Sequence, residues 1–312
     1  MVEAFAQQFV PVFGDNSSCD KFCDNTVNCI YCDKKFCPSV NIKSSCDPPT
    51  TAHKIKIASS DILLAVNKIK DNYVSGSDKV PAFVVVDCIN CFLSPLSHIF
   101  NLILKYSLYP NVWSVSKVLV VPLFKSGDKS KITNYRPIAI LCNFAKIKFS
   151  NTINFHVSSQ ISHDQHGFIR GKSTVTNLVE FTQFASQVLD DRKQVDVIYT
   201  DLTKAFDKVN QCILLKKLGN FGLCNSLLQL LKSMIMNQFV EYCKSGVSQG
   251  SNLGPLLFIL FFNDISNHID CKIYIYADDL KIVNVIISYS DCLQLQDSVD
   301  SFLNYCHINC LN

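Results

Sequence analysis

The sequence predicts an α+β fold in which an antiparallel sheet is backed by helices, with a group of acids on its open face. Three observations carry this reading. Two apolar runs alternate on either side of Tyr276-Ala277-Asp278-Asp279, a third alternating run ends at Asp201, and helical patterns interleave with these runs from Gln194 onward.

In chain order, residues 1–52 are polar and cysteine-rich and end in Asp47-Pro48-Pro49, the composition of a linker or poorly ordered arm. A helical extension is predicted over 53–112. Asp61 is placed to cap a helix carrying Ile62, Leu63, Val66 and Ile69, and Leu93, Leu96, Phe100, Ile103 and Leu104 mark a second one. The run KVLVVPLF then reads as a strand leading to a polar turn at Ser126-Gly127-Asp128 and a hairpin that holds Arg136. Ser173 is placed to cap a helix with Val175, Leu178, Ala185, Val188 and Leu189.

Beyond Gln194, Val195, Val197 and Tyr199 alternate on a strand that delivers Asp201 at its C-terminal end. A helix is expected to run through Phe206 to Gly219. Gly246, Gly250 and Gly254 punctuate a loop that gives way to the apolar stretch 255–262. A bilayer needs about 20 apolar residues, so this stretch reads as a buried helix. The segment KIYIYADDLKIVNV, Lys272 to Val285, fits two short strands joined by a tight turn, and a last helix follows it.

Composition bounds the function without naming it. With 312 residues, 48% of them hydrophobic, the chain can bury a substantial core, in one large or two modest domains. No charged-then-apolar leader opens it, so an intracellular rather than secreted, membrane-free protein is expected. A net charge of +3 means that any basic binding surface must be local. Six of the sixteen cysteines, Cys19, Cys23, Cys29, Cys32, Cys37 and Cys46, precede residue 47, and Cys29 and Cys32 have a C-x-x-C spacing. No second well-spaced pair completes a familiar zinc module, so zinc stays open. Cys88 and Cys91 repeat the spacing but flank an apolar stretch and are expected to be buried, as are Cys142, Cys212, Cys224 and Cys271 in the core. Disulfides are not expected in a reducing compartment.

The chemistry lies in the acids. A tight turn holds the Asp278 and Asp279 carboxylates at a hairpin tip, and the neighbouring strand brings Asp201 toward them. Mg²⁺ favours hard oxygen ligands, usually one or two protein carboxylates per ion with water and substrate phosphate completing the octahedron. Two such ions about 4 Å apart suit an attack by a hydroxyl on a phosphate. Taken alone, an Ala-Asp-Asp turn is a solvated hairpin tip. Its context gives it meaning: WSVSKVLVVPLFKSGDKSKITNYRPIAIL, QHGFIRGKST, DLTKAFDKVN, SGVSQGSNLGPLLFILFFNDI and IYADDLKI follow one another in order.

This series resembles the reverse transcriptase of non-LTR (LINE-type, jockey-like) retrotransposons, over roughly residues 60–312. The resemblance implies a right-hand polymerase with fingers at 113–193 and a palm at 194–312. It implies RNA-directed DNA synthesis, with Asp201, Asp278 and Asp279 holding two Mg²⁺ ions, for which Mn²⁺ can substitute. An RNA template, a DNA primer and deoxynucleoside triphosphates would be the partners, and the nucleus the site of action. It places Lys125 and Arg136 on the triphosphate, Gln249 at the nucleotide and template base, and Phe206 beneath the incoming sugar. Without the resemblance, Lys125 and Arg136 read as surface cations on a turn, and Phe206 equally as a helix core residue. Asp207 reads as structural. Ser248 stands where the family usually has Pro, and Tyr305 where it often has Trp. The chain stops at Asn312, before the lysine-bearing strand that should follow, so a thumb and an upstream endonuclease are expected to be absent. A catalytically inactive RNA-binding remnant is therefore the alternative. The wording of NYRPI and SGVSQGSNLGPLLF is unlike telomerase-type or intron-encoded relatives.

Overall fold

The computed structural model describes residues 56–311 apart from 71, 77, 111–112, 114–118, 132–133, 148–152, 154–156, 237–245 and 248–252. The six N-terminal cysteines and Gln249 lie outside the described residues. In chain order the longer elements are helices α1 (Ser59–Val66), α2 (Ala82–Asp87) and α3 (Ile89–Tyr106), strands β1 (Leu119–Phe124) and β2 (Tyr135–Ile140), and the short helix α4 (Asn143–Lys146). They continue with α5 (Thr174–Asp190), β3 (Gln194–Thr200), α6 (Ala205–Lys208), α7 (Gln211–Asn220), α8 (Asn225–Met236), α9 (Gly254–Phe262), β4 (Lys272–Tyr276), β5 (Asp279–Ile286) and α10 (Tyr289–Ile308). They fall into two compact units, one of Met1–Lys148 with Gly222–Gly246, the other of Phe149–Phe221 with Val247–Asn312.

The first unit is built on α3, whose Leu96, Phe100, Ile103 and Leu104 form one buried stripe at helical spacing. Against it α1 lays Ile62, Ala65 and Val66, and α8 brings Leu227, Leu230, Leu231 and Met234 into the same core. Asp61 sits in the first turn of α1 rather than before it, and its carboxylate accepts the Ala58 N–H at 2.9 Å. Ile69 falls beyond the helix end. Cys88 and Cys91 are exposed, not buried, because they occupy the first turn of α3 before its buried stripe begins. The hairpin is as expected: β1 and β2 pair antiparallel with Leu123 opposite Arg136 and Pro122 opposite Pro137.

The second unit holds a three-stranded antiparallel sheet in the order β3-β5-β4. Ile273, Ile275, Leu280 and Ile282 are buried on one face of it, and Tyr274 and Val283 are buried on the other, so burial does not simply alternate along β4 and β5. Helix α9 is apolar on every side, and residues Leu257 to Phe262 are all buried, which is what a helix without a polar face requires. Ser173 caps α5 as expected, its hydroxyl accepting the Thr176 N–H at 3.2 Å. That helix buries Asn177 and Val188 instead of its apolar majority, and Val175, Leu178, Val179 and Leu189 are exposed. The helix expected through Phe206 to Gly219 is two. It breaks at Val209-Asn210, where the Asn210 side chain accepts from the Cys212 and Ile213 amides and starts α7 afresh. Of the four core cysteines, Cys142 and Cys271 are buried, Cys212 is half-buried and Cys224 is exposed. Among the described residues no helix is long and apolar enough to cross a membrane.

Candidate active site

Strand register brings the acids to one end of the sheet. Thr200 pairs with Leu280 as the last rung between β3 and β5, so the next position on β3, Asp201, stands beside Asp279 on the antiparallel ladder. Tyr276 pairs with Asp279 as the last rung between β4 and β5, which leaves Ala277 and Asp278 as a two-residue connection. Such hairpin turns demand positive φ at a central residue, and Ala277 supplies it at 57° without being glycine. Asp201 and Asp279 are exposed and Asp278 is half-buried.

A strip of chain from Asp164 to Gly167 clamps this turn from the far side of β4. Ile275 donates to the Asp164 carbonyl at 3.0 Å and accepts from the His166 amide at 2.8 Å, a parallel bridge that adds the strip to the sheet. Buried Gln165 reaches past it: Oε1 accepts from the Ala277 amide at 2.9 Å and the Gly167 amide at 2.7 Å, while Nε2 donates to the Ala277 carbonyl at 3.4 Å. Gly167 comes so close that a Cβ there would lie 2.3 Å from the Ala277 nitrogen. On the next position His166 is fully enclosed, its Nδ1 2.9 Å from the Thr176 hydroxyl and its Nε2 3.3 Å from a Glu180 carboxylate oxygen. Burial, with Lys172 nearby, pushes its pKa down. In the sequence the Gln-x-Gly strip carries no role of its own; its one local signal is a glycine that permits close approach.

Phe206 sits half-buried on the single-turn helix α6, stacked on Phe258 at 4.4 Å between ring centroids and met edge-on by exposed Phe168 at 6.3 Å. One side of the ring belongs to the core and the other has an exposed aromatic neighbour. Its carbonyl accepts the Val247 amide at 2.9 Å, which ties the start of the glycine-rich loop to α6. Asp207, on the same turn, is buried, in keeping with its structural reading. Phe168, Lys204 and Ala277 all adopt left-handed backbone, with φ of 56°, 57° and 57°. Such conformations cost on the order of 1–3 kcal/mol and gather at functional sites.

In the other unit, Lys125 is exposed at the end of β1 and its amide donates to the Asn134 carbonyl at 2.8 Å. Arg136 is placed by backbone register on the facing strand. Both cations thus belong to one hairpin.

Among the described residues no three His, Cys, Asp or Glu side chains are gathered into a group that could hold a metal ion. The donor set still has the right chemistry. Mg²⁺ takes only one or two protein carboxylates and completes its shell with water and phosphate oxygens, and the exposed Asp201 and Asp279 leave room for both.

Residues 125–310 match the family described as reverse transcriptase (RNA-dependent DNA polymerase). A probable RNA-directed DNA polymerase from transposon BS of Drosophila melanogaster is 28% identical over 64% of this chain and 23% of its own length. The RNA-directed DNA polymerase from mobile element jockey of Drosophila funebris is 26% identical over 76% of this chain and 28% of its own. This chain therefore spans about a quarter of the length of these relatives. An apo telomerase from Candida Tropicalis, truncated from its C-terminal domain, superposes with a TM-score of 0.48 and 12% identity, covering 69% of this chain and 53% of that one. With the family match covering more than half its residues, the chain belongs to the reverse transcriptase family.

Proposed function

We propose that this chain carries the polymerase core of an RNA-directed DNA polymerase, adding deoxynucleotides to a primer 3′-hydroxyl opposite an RNA template. The observation that supports this most is the register of β3 and β5, which sets Asp201 beside Asp279 and next to the turn residue Asp278. In this reading residues 113–193 act as fingers and 194–312 as palm, behind the 53–112 helical extension and the 1–52 arm.

Asp201, Asp278 and Asp279 are the residues that would hold Mg²⁺. Two ions bound there would favour the ionised 3′-hydroxyl and stabilise charge on the leaving pyrophosphate. The protein's own part is positioning. The left-handed Ala277 turns the backbone so that two successive carboxylates sit at the sheet end. The Phe206 ring, held from behind by Phe258, would leave no room for a 2′-hydroxyl and so select deoxynucleotides. Lys125 and Arg136 would grip the triphosphate, one as a point charge and one through its fork, and Gln249 would contact the nucleotide and template base. Copying an element's own RNA onto a nicked chromosomal end would place the protein in the nucleus.

Primer extension on an RNA template with Mg²⁺ and deoxynucleotides, beside Asp278→Asn, tests this. Incorporation that the variant loses supports the reading. No incorporation by a folded wild type leaves the inactive RNA-binding remnant.

A further inference from the structure

We infer that Gln165 is the positioning residue of the acidic turn and that Gly167 is the surface against which that turn is set. The inference rests on the polymerase reading for its consequence but on geometry for its substance. A two-residue turn with a non-glycine residue in the left-handed region is not a conformation that the hairpin holds cheaply by itself. Something outside the hairpin has to hold it. The backbone of Ala277 is gripped on both sides by one side chain, its N–H donating to Gln165 Oε1 and its carbonyl accepting from Nε2. A primary amide is the side chain that offers an acceptor and a donor side by side, and Gln165 is 3% exposed, so water does not compete for either. The same Oε1 accepts the Gly167 amide, which fixes the rotamer that makes the grip possible. Gly167 itself has ordinary backbone torsions; it is glycine because a Cβ would meet the Ala277 nitrogen at 2.3 Å and its Cα at 2.9 Å.

The strip is anchored both to strand β4 of the hairpin and to a residue outside it. Asp164 and His166 bond Ile275 through their backbones, Ser162 donates to the Asp164 carboxylate at 2.8 Å, and Asn263 Oδ1 accepts the Ser162 amide at 2.8 Å. The clamp therefore refers the position of Asp278 to the body of the unit rather than to the hairpin alone. Gln165 acts through the backbone of the residue before Asp278.

The experiment uses the 312-residue protein as wild type, Gln165→Ala, Gln165→Glu and Gly167→Ala. Three readouts are taken: amide exchange over 194–200 and 272–286, global melting, and single-turnover incorporation as a function of nucleotide, Mg²⁺ and pH. Gln165→Ala should release exchange at Ala277 and its neighbours while the β3 amides stay protected. It should lower the saturated incorporation rate by about 100-fold, the scale of a 1 Å misplacement, with the apparent nucleotide affinity changed far less. Gly167→Ala should give the same pattern by pushing the turn outward. Gln165→Glu keeps the acceptor but faces the Ala277 carbonyl with an oxygen, so its rate relative to wild type should rise as pH is lowered and the carboxyl regains a donor. A residue that merely stabilised the fold would lower melting and leave that ratio flat. Unchanged local exchange in both Gln165→Ala and Gly167→Ala overturns the inference. If Gln165→Ala does not fold, Gly167→Ala and the pH ratio of Gln165→Glu decide. Should the wild type incorporate nothing, the polymerase reading fails alone, because exchange at Ala277 still decides whether Gln165 holds the turn.

Discussion

Lys217 Nζ lies 2.7 Å from Asp264 Oδ1, and both groups are bonded to the Tyr305 hydroxyl, at 2.9 Å and 2.6 Å. Lys217 also donates to the Phe261 carbonyl at 2.9 Å. One ammonium thus joins α7, the end of α9, the short turn Asn263–Asn267 and α10. Burial pulls the Lys217 pKa down, opposed by Asp264. The lysine side chain is 13% exposed and the aspartate 39%, so the charge that can least recover water is the cation. Asp264→Ala should therefore destabilise more than Lys217→Met, which leaves the partly wet carboxylate still paired with Tyr305. On the scale of a charged hydrogen bond, Lys217→Met should cost about 1–3 kcal/mol. Urea midpoints of the two variants check the order; the reverse order sinks the account.

Phe206 is expected to serve two ends that one pair of substitutions separates. Phe206→Leu keeps apolar volume against Phe258 yet removes the flat ring, so melting should fall by little while incorporation of ribonucleotides relative to deoxynucleotides rises, on the order of 10-fold or more. Phe206→Ala should also lose core contact, at about 1–3 kcal/mol for a half-buried ring. Equal ribonucleotide rejection in all three proteins would leave Phe206 as packing alone.

His166 gives the fold a pH dependence. The group is enclosed by Thr176 and Glu180 from α5 and by Asp164 and Lys172 on its own segment. Burial is the largest cause of its shift, and its folded pKa lies below 6.5, the value of the free imidazole. The unfolded chain therefore takes up the proton first, and stability falls as pH drops through 6.5 toward the folded pKa. The slope from this residue is at most about 1.4 kcal/mol per pH unit. Denaturation of wild type and His166→Gln between neutral pH and pH 5 should show the shallower loss in the variant. Parallel curves would mean that His166 does not titrate in this range.

Ser173 and Thr176 cap α5 reciprocally, the Thr176 hydroxyl accepting the Ser173 amide at 2.8 Å. Ser173→Ala should cost about 1 kcal/mol, and Ser173→Asp should restore it. Since α5 carries Asn177, which accepts from Lys281 of β5 at 3.0 Å, fraying of the helix start should also raise exchange in that strand.

Much of this architecture is legible in the sequence because it is written at short range. Alternation around Ala277-Asp278 and before Asp201 locates all three strands of the sheet to within a residue, and Ser173 announces its helix. Asn210 announced one too, a cap of the right type that the apolar pattern on either side concealed. Cys88 and Cys91 were misplaced because flanking apolarity says nothing about which face of α3 is covered; that depends on where α1 and α8 lie. The exposed Val175, Leu178 and Leu189 teach the same point from the other side. Gln165 was illegible for a different reason. Its partner is 112 positions away, and a glutamine two residues before a glycine has no spacing signature until the chain is folded.

The facing prolines of the first unit's hairpin carry a consequence for the company the protein keeps. Lys125 donates across to Asn134, so bonded and unbonded rungs alternate from there, and Pro122 with Pro137 falls on an unbonded rung, where backbone donors point outward. Both margins of the ribbon, which no third strand covers among the described residues, therefore lack an N–H at the same level. A strand from a second molecule approaching either margin would find a missing rung halfway along, so the ribbon resists growing into an intermolecular sheet. Among the described residues no third strand joins the ribbon, and the facing prolines serve there as a guard against self-association.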